Sequence, residues 1–285
     1  MESYTAPIET SSRAPLRVAV AQTVARPGDT LHNAAEAAAV IARAADAGVR
    51  VVQFPELSLT GYEPGWLTAH LPAGALALDG PSLTAVREAC RATGVTAVVG
   101  APVPAGTKSA ISAIAVGGDG GILAHYRKSR LEEHERRLFV PGTESRTLTV
   151  DGWRLALGIC YDASFPEHAR AAARSGADAY LCGGAFVRGD SDHRRSVYFP
   201  ARALENTFYV LFANFVGPQG PWDFCGRSAV YGPDGRTLAE AGDRAAELVV
   251  TDLDDAVLAG TRRGLTMLRD LDRAAPLPAK GSLVV

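Results

Sequence analysis

Lysine is nearly absent from this 285-residue chain. Of 29 basic residues only Lys108, Lys128 and Lys280 are lysines, the others being arginine in a background rich in alanine and glycine. An excess of charge is missing too: 29 basic residues face 31 acidic ones, a net charge of −2, which leaves no basic footprint for nucleic acid. No run of about 18 apolar residues occurs, so no segment reads as a membrane span and no membrane partner is expected. Residues 1–15 are polar and rich in proline, serine and threonine, without the basic start and apolar core of a signal peptide, and read as a flexible tail. Cys90, Cys160, Cys182 and Cys225 stand 70, 22 and 43 positions apart, which matches none of the close spacings of a zinc site. They read as reduced thiols of a cytoplasmic protein, and no metal is expected. What the chain does have is apolar content, 47% hydrophobic against 21% charged. That excludes disorder and, at this length, allows one large core.

Strand-like and helix-like segments alternate from residue 16 almost to the end. Leu16 to Gln22 reads as a strand, and Thr30 to Ala47 repeats apolar residues at helical spacing until Gly48. Val49 to Phe54 is a short apolar strand stopped by Pro55. Further helices are expected over 82–93, 167–174 and 192–206, and strands over 95–101, 153–159, 178–182, 208–214 and 246–253. Turn signals at 117–120 and 233–235 mark two hairpins. Hairpins interspersed with helices exclude a purely parallel βαβ series; a mixed sheet, or two, covered by helices fits. No linker or repeat divides the chain. A single α/β domain is expected over 16–264, with a C-terminal extension at 265–285 available to an oligomer interface.

Three places put reactive side chains at strand ends, where open α/β sheets keep their sites. In FPELSLTGY (54–62) a strand delivers Glu56 into a turn of hydroxyl and aromatic groups; a solvent-facing glutamate is the ordinary alternative. In AHYRKSRL (124–131) Lys128 lies among arginines. A plain surface cation there could equally have been arginine, whereas a compact ammonium can be buried and tuned. Lys108 and Lys280, in a loop and a tail, read as solvated. In LGICYDASFPE (157–167) a strand ends at Cys160 and a helix begins a few residues later. This elbow projects a side chain and leaves backbone N–H groups free, although a lone cysteine at a strand end is more often structural. A Cys–His dyad has only His125 or His193 to draw on. A carboxylate base is the more economical partner for a thiol.

These segments, with AVAQTVARPGD near the start, ERRLFVPG (135–142), ARALENTFYVLFAN and FCGRSAVYGPDG, resemble in order and spacing the signatures of the nitrilase superfamily of carbon–nitrogen hydrolases. The resemblance runs from about residue 16 to 255. It implies a four-layer α-β-β-α sandwich with mixed sheets and a Glu-Lys-Cys triad. Glu56 would be the general base, Lys128 the cation and Cys160 the nucleophile, with the backbone N–H of Tyr161 completing an oxyanion site. A second glutamate of the family falls on Glu135, ahead of Phe139 and Pro141-Gly142, with Glu132 and Glu133 close enough to compete for the role. No cofactor is implied, and a homodimer or larger even assembly is expected.

The expected reaction is hydrolysis of a small linear amide through a cysteine thioester, releasing ammonia or an amine. An N-carbamoyl amine or amino acid is the alternative substrate. A nitrile ranks third, and a non-catalytic thiol-sensing protein is the reading from another class. Tyr62, Phe186, Val187 and Trp222 are the expected substrate walls, apolar enough for a small uncharged amide. Arg188 and Arg227 could meet a substrate carboxylate but read rather as surface arginines.

Overall fold

The computed structural model describes residues 13–271. Residues 1–12 of the expected 1–15 tail and residues 272–285 of the expected 265–285 extension lie outside the described residues. The first half of the chain forms β1 (Leu16–Gln22), α1 (Thr30–Asp46), β2 (Val51–Gln53), α2 (Pro64–His70), α3 (Pro81–Thr93), β3 (Thr96–Ala105), β4 (Lys108–Val116) and β5 (Ile122–Arg127). Then follow β6 (Thr147–Val150), β7 (Trp153–Ile159), α4 (Pro166–Arg174), β8 (Ala179–Gly183), α5 (Asp190–Asn206) and β9 (Tyr209–Ala213). The remainder is a ribbon of β10 (Val216–Gln219) and β11 (Trp222–Cys225), a hairpin of β12 (Ala229–Tyr231) and β13 (Thr237–Glu240), then β14 (Glu247–Leu253), α6 (Asp255–Gly264) and α7 (Met267–Leu271).

Two six-stranded sheets result, ordered β14-β1-β2-β3-β4-β5 and β13-β12-β9-β8-β7-β6. In the first, β1, β2 and β3 are parallel, with β14 and β4 antiparallel on either side. The second repeats the plan with β7, β8 and β9 parallel between β6 and β12. Each sheet is therefore mixed, and the hairpin signals between helices are its antiparallel flanks.

The period of two along β1 sets the layers. Val18 and Val20 enter the core between the sheets, while Ala19 and Ala21 enter the core beneath α1 and α3. Helix α1 meets that second core with Ala34, Ala37, Ile41 and Ala44, small residues that let it lie close, and Asp29 caps it by accepting from the His32 N–H at 3.2 Å. On the far sheet, Phe199 of α5 stacks on Phe212 of β9 with ring centroids 4.1 Å apart. The architecture is the expected α-β-β-α sandwich.

Several elements escape the sequence pattern. The β10–β11 ribbon is not among the expected elements, because Gly217, Pro218, Gly220 and Pro221 interrupt any strand pattern there. Lys108, expected in a loop, opens β4 and donates to the Arg136 carbonyl at 2.9 Å. Arg13, inside the expected tail, is hydrogen-bonded to Asp178 and to Asp255, and Ala14 accepts from the Trp153 indole at 3.1 Å.

Candidate active site

The carboxyl ends of β2, β7 and β8 and the end of β5 converge, and each delivers a polar or reactive segment. Glu56 follows β2 in a turn where Leu57 adopts a φ of 51°. That turn is wedged between two strands at positions where only glycine fits. A Cβ on Gly100 of β3 would stand 2.4 Å from the Leu57 nitrogen, and one on Gly183 of β8 would stand 2.6 Å from the Phe54 carbonyl. Lys128 follows β5 and is pinned by its own backbone: its N–H donates to the Ile111 carbonyl and its carbonyl accepts from Gly142, both at 2.8 Å. Cys160 follows β7 with φ at 44°, a strained conformation for a non-glycine residue and one associated with functional turns. It opens a 3-10 turn, Cys160–Ser164, whose first N–H groups, that of Tyr161 among them, have no carbonyl within the turn to bond.

Four groups meet where these segments end. Lys128 Nζ donates to Glu56 Oε1 at 2.8 Å and to Glu135 Oε1 at 2.6 Å, all three side chains being buried. Cys160 shares one cavity wall with them. The short segment after Lys128 also places Glu132 and Glu133, but their side chains are 40% and 95% exposed, so Glu135 is the glutamate on the lysine. Its other oxygen accepts from the Glu132 N–H at 2.8 Å, and the Tyr62 hydroxyl donates to Oε1 at 2.7 Å. Because that hydroxyl has one proton, the 2.9 Å contact with His134 Nε2 requires the histidine to donate.

Electrostatics divide the charges. Burial pushes Glu56 up against the pull of Lys128, and with the help of Glu135 its pKa is raised to about 7. Burial pulls Lys128 down, but Glu56 and Glu135 override it and hold the ammonium well above its ordinary value. For Cys160 burial and the Glu56 carboxylate outweigh Lys128, so its pKa lies well above the ordinary thiol range. The arrangement near neutral pH is a thiol and an ammonium beside a Glu56 carboxyl poised between its two protonation states, its buried side chain facing the Cys160 thiol, whose hydrogen bond favours the ionised form.

The cavity has two lobes that share Glu132, Cys160, Ala185, Ser191 and Arg194. The lobe holding Lys128, about 140 Å³, is walled by Tyr62, Val187 and Trp222 as the sequence suggests, with Phe224 and His134 added. Phe186 does not reach this lobe. Packed edge-on against Phe199 and Phe212 at 5.7 and 5.5 Å, it lines the second lobe, about 290 Å³, with Tyr161, Ser164 and Tyr198. Arg188 is paired with Asp223 and Asp243, Arg227 lies within 4 Å of Asp192 and Asp243, and neither lines the cavity. His125, bonded to Ser112 at 3.0 Å, and His193 are likewise outside both lobes.

Asp162 carries no role in the sequence reading, yet it ties the site together. One oxygen accepts from Tyr126 Oη at 2.7 Å and the Ile159 N–H at 3.0 Å. The other accepts from the Ser129 N–H and Oγ and the Arg130 N–H at 2.9–3.2 Å. A fully buried carboxylate thus joins the residue before Cys160 to the residues after Lys128. Arg194 and Ser191 were also unforeseen: DSDHRRS reads as an ordinary polar helix start, and nothing local says which turn faces a cavity. Among the described residues no cluster of histidine, cysteine and acidic side chains could hold a metal.

Known proteins share this arrangement of sequence and fold. The family model of carbon–nitrogen hydrolases matches residues 17–263. An amidase from Nesterenkonia sp. is 36% identical and superimposes with a TM-score of 0.78, over 90% of this chain and 96% of that one. A glutamate-to-leucine variant of the Nesterenkonia sp. AN1 amidase carries the acetamide moiety of fluoroacetamide on its active-site cysteine, and a cysteine-to-alanine variant is in complex with butyramide. An (R)-stereoselective amidase from Pseudomonas sp. is 33% identical over 262 residues, 90% of this chain and 91% of that protein.

Proposed function

This chain belongs to the carbon–nitrogen hydrolase family, and from that membership we propose how its own residues hydrolyse a small linear amide. Cys160 is the nucleophile. As its Sγ attacks the amide carbonyl, Glu56 takes the thiol proton and an S–C bond forms. The oxygen of the resulting tetrahedral centre is held by the Lys128 ammonium and the Tyr161 N–H; losing one such donor typically costs about 3 kcal/mol of transition-state stabilisation. Glu56 passes its proton to the nitrogen, the C–N bond breaks, and ammonia or an amine leaves a thioester on Cys160. Glu56 then takes a proton from water, whose oxygen attacks the thioester. Collapse returns the thiol and releases the acid.

The observation that carries this reading is the single buried ammonium bridging Glu56 and Glu135, at 2.8 and 2.6 Å, beside a cysteine on a strained elbow. Glu135 and Tyr62 act as positioning groups for Lys128. The size of the Lys128 lobe, about 140 Å³, supports a small substrate, since a cavity of roughly 150 Å³ holds a benzene-sized ligand. That all four cysteines are free thiols supports work in a reducing compartment, the cytoplasm, and a homodimer or larger even assembly is the expected working form.

The test is acid-quenched intact-mass spectrometry of the wild-type protein during turnover of pooled primary amides. The thioester caught by the quench should leave an acyl mass on Cys160 that is missing when Cys160→Ala is treated identically. An adduct of equal yield in Cys160→Ala, or steady ammonia release by that variant, would remove Cys160 from the reaction.

A further inference from the structure

Two consecutive side chains in the wall of the Lys128 lobe, His134 and Glu135, converge on one hydroxyl. Tyr62 Oη lies 2.7 Å from Glu135 Oε1 and 2.9 Å from His134 Nε2. Neighbouring residues of a helical turn point apart, and His134 caps the 3-10 turn Glu135–Arg137 that Glu135 opens. Both nonetheless reach the same phenol, whose ring stands at 75° to the imidazole with centroids 6.3 Å apart. Burial and the Glu135 carboxylate hold the Tyr62 hydroxyl well above its ordinary pKa, so it stays protonated and donates. The donors therefore run one way, from His134 Nε2 to Tyr62 and from Tyr62 to Glu135 Oε1. On that same oxygen the Lys128 ammonium donates at 2.6 Å, and it donates to Glu56 Oε1 at 2.8 Å. The neutral Nε2–H tautomer and the imidazolium both supply the first proton, so the donation does not depend on the charge of the histidine. The other titratable or charged groups around His134 are Glu132, whose Oε2 lies 3.5 Å from Nδ1, and Glu56, Lys128, Cys160 and Arg194 in the same lobe.

Resting on the amide-hydrolase reading, we propose that His134 is a positioning residue of the reaction: by donating to Tyr62 it sets how strongly Glu135 holds Lys128, and so how the ammonium is shared between Glu135 and Glu56. A hydroxyl that accepts a hydrogen bond becomes a stronger donor. With His134 in place Tyr62 satisfies more of the Glu135 charge, and Lys128 is left to serve Glu56 and then the substrate oxygen. Without it Tyr62 donates more weakly. The other Glu135 oxygen is already engaged by the Glu132 N–H at 2.8 Å, so among the described residues only Lys128 can make up the deficit. Drawn toward Glu135, the ammonium offsets less of the desolvation of Glu56, and the ionised base becomes harder to form. The His134 side chain is 45% exposed, so it can be replaced without opening the core.

The experiment measures kcat, KM and the pH profile of kcat/KM for butyramide in wild type, His134→Leu and His134→Gln, each with and without Tyr62→Phe. His134→Leu should move the acid limb set by Glu56 to higher pH by up to about one unit and lower kcat about 3- to 10-fold, the worth of one net hydrogen bond, with KM changed less. His134→Gln, whose amide can donate to Tyr62, should restore most of both. In Tyr62→Phe, which has no hydroxyl to polarise, His134→Leu should add nothing further. A rise in KM with kcat and the acid limb unmoved would make His134 a cavity wall and overturn the proposal. So would a limb shifted as far by His134→Gln as by His134→Leu, or a further shift of the same size in the Tyr62→Phe background. Absence of an acyl mass on Cys160 in the acid-quenched wild-type enzyme would instead overturn the amide-hydrolase reading beneath it.

Discussion

Asp162 offers the sharpest test of how the site is held. Asp162→Ala deletes an acceptor for the Tyr126 hydroxyl, the Ile159 N–H, the Ser129 N–H and hydroxyl, and the Arg130 N–H. The buried Ile159 N–H loses its partner outright, at about 1–3 kcal/mol, whereas the Tyr126 hydroxyl can turn to His168 Nε2, 2.8 Å away, and loses nearer about 0.5–1.5 kcal/mol. Ser129 and Arg130 are half-buried and exposed, so water can replace the carboxylate and the loss there is nearer about 0.5–1.5 kcal/mol per bond. The sum is about 6 kcal/mol, a large share of the roughly 5–15 kcal/mol that holds a domain folded. Asp162→Asn is milder. Its oxygen can serve Ser129 and Arg130, and its amide can donate to a Tyr126 hydroxyl turned toward His168, whose Nε2 is 2.8 Å away. Only the Ile159 N–H is then orphaned, at about 2 kcal/mol. At about 2–4 °C per kcal/mol for a chain of this size, Asn should melt about 4–8 °C below wild type and Ala about 12–24 °C below. Urea midpoints should fall in the same order at constant slope. The acylation rate of the Asn variant should drop by far more than the lost stability alone implies, because the carboxylate fixes Ile159 against Ser129 and so Cys160 against Lys128; misplacement by about 1 Å can cost roughly 10²-fold. Equal melting of the two variants, or an Asn variant with full activity, would show that the five bonds do not carry the load assigned to them.

Other consequences are simpler to check. Because burial raises Glu56 to about 7 and the base must be ionised to act, kcat/KM for a neutral amide should fall as pH drops below that value. No alkaline limb from Lys128 should appear below the ordinary lysine range, since its two carboxylates raise its pKa; a stopped-flow pH profile reads both limbs. Limited iodoacetamide should modify Cys160 before Cys90, Cys182 or Cys225, which do not line its cavity, and peptide mapping would reveal the reverse order. Gly183→Ala would force a Cβ to within 2.6 Å of the Phe54 carbonyl and 2.9 Å of the Glu56 nitrogen. Backbone atoms cannot yield cheaply, so acylation should fall sharply even in protein that still melts cooperatively.

The alternation of strands and helices was legible because β1, β7, β8 and β9 are short apolar runs bounded by glycine, proline or helix starts. Their pairing was only partly legible. Hairpin turns at 117–120 and 233–235 announce antiparallel flanks, but the approach of β2 to β8, through which Gly183 meets the Glu56 turn, joins residues more than 100 positions apart and leaves no local signal. Glu56, Lys128 and Cys160 were visible as reactive side chains at strand ends, and the family resemblance supplied their roles. The fold supplies what spacing could not: Glu135 and not Glu132 on the lysine, Tyr62 as a donor to Glu135 as well as a wall, and Phe186 in the second lobe. Trp222 was noted for its aromatic surface, yet the strand that carries it is not among the elements expected from the sequence. Residues such as Asp162 and Arg194 stayed silent because their meaning depends on which face a turn presents, and that is decided by packing.

The charge arrangement also explains why the scarce lysine sits where it does. In the proposed acylation step the thiol proton moves to Glu56, and the negative charge leaves that carboxylate for the substrate oxygen. Net charge in the pocket is unchanged. The charge migrates between two positions that both adjoin the Lys128 ammonium, 2.8 Å from Glu56 Oε1 at the start, so the ammonium need only exchange one oxygen partner for another while Glu135 holds it at 2.6 Å. A compact charge with three rotatable donors can do this in a fully buried space. A guanidinium presents its donors in a fixed plane and would have to be accommodated by moving Glu56 or Glu135. Placing the charge in water instead would relieve the crowding but weaken its hold on the oxyanion, since the same pair attraction falls steeply with the dielectric constant. Burial, the two carboxylates and the choice of lysine are thus one requirement: a cation that stays charged without solvent and stays small enough for negative charge to pass from one side of it to the other.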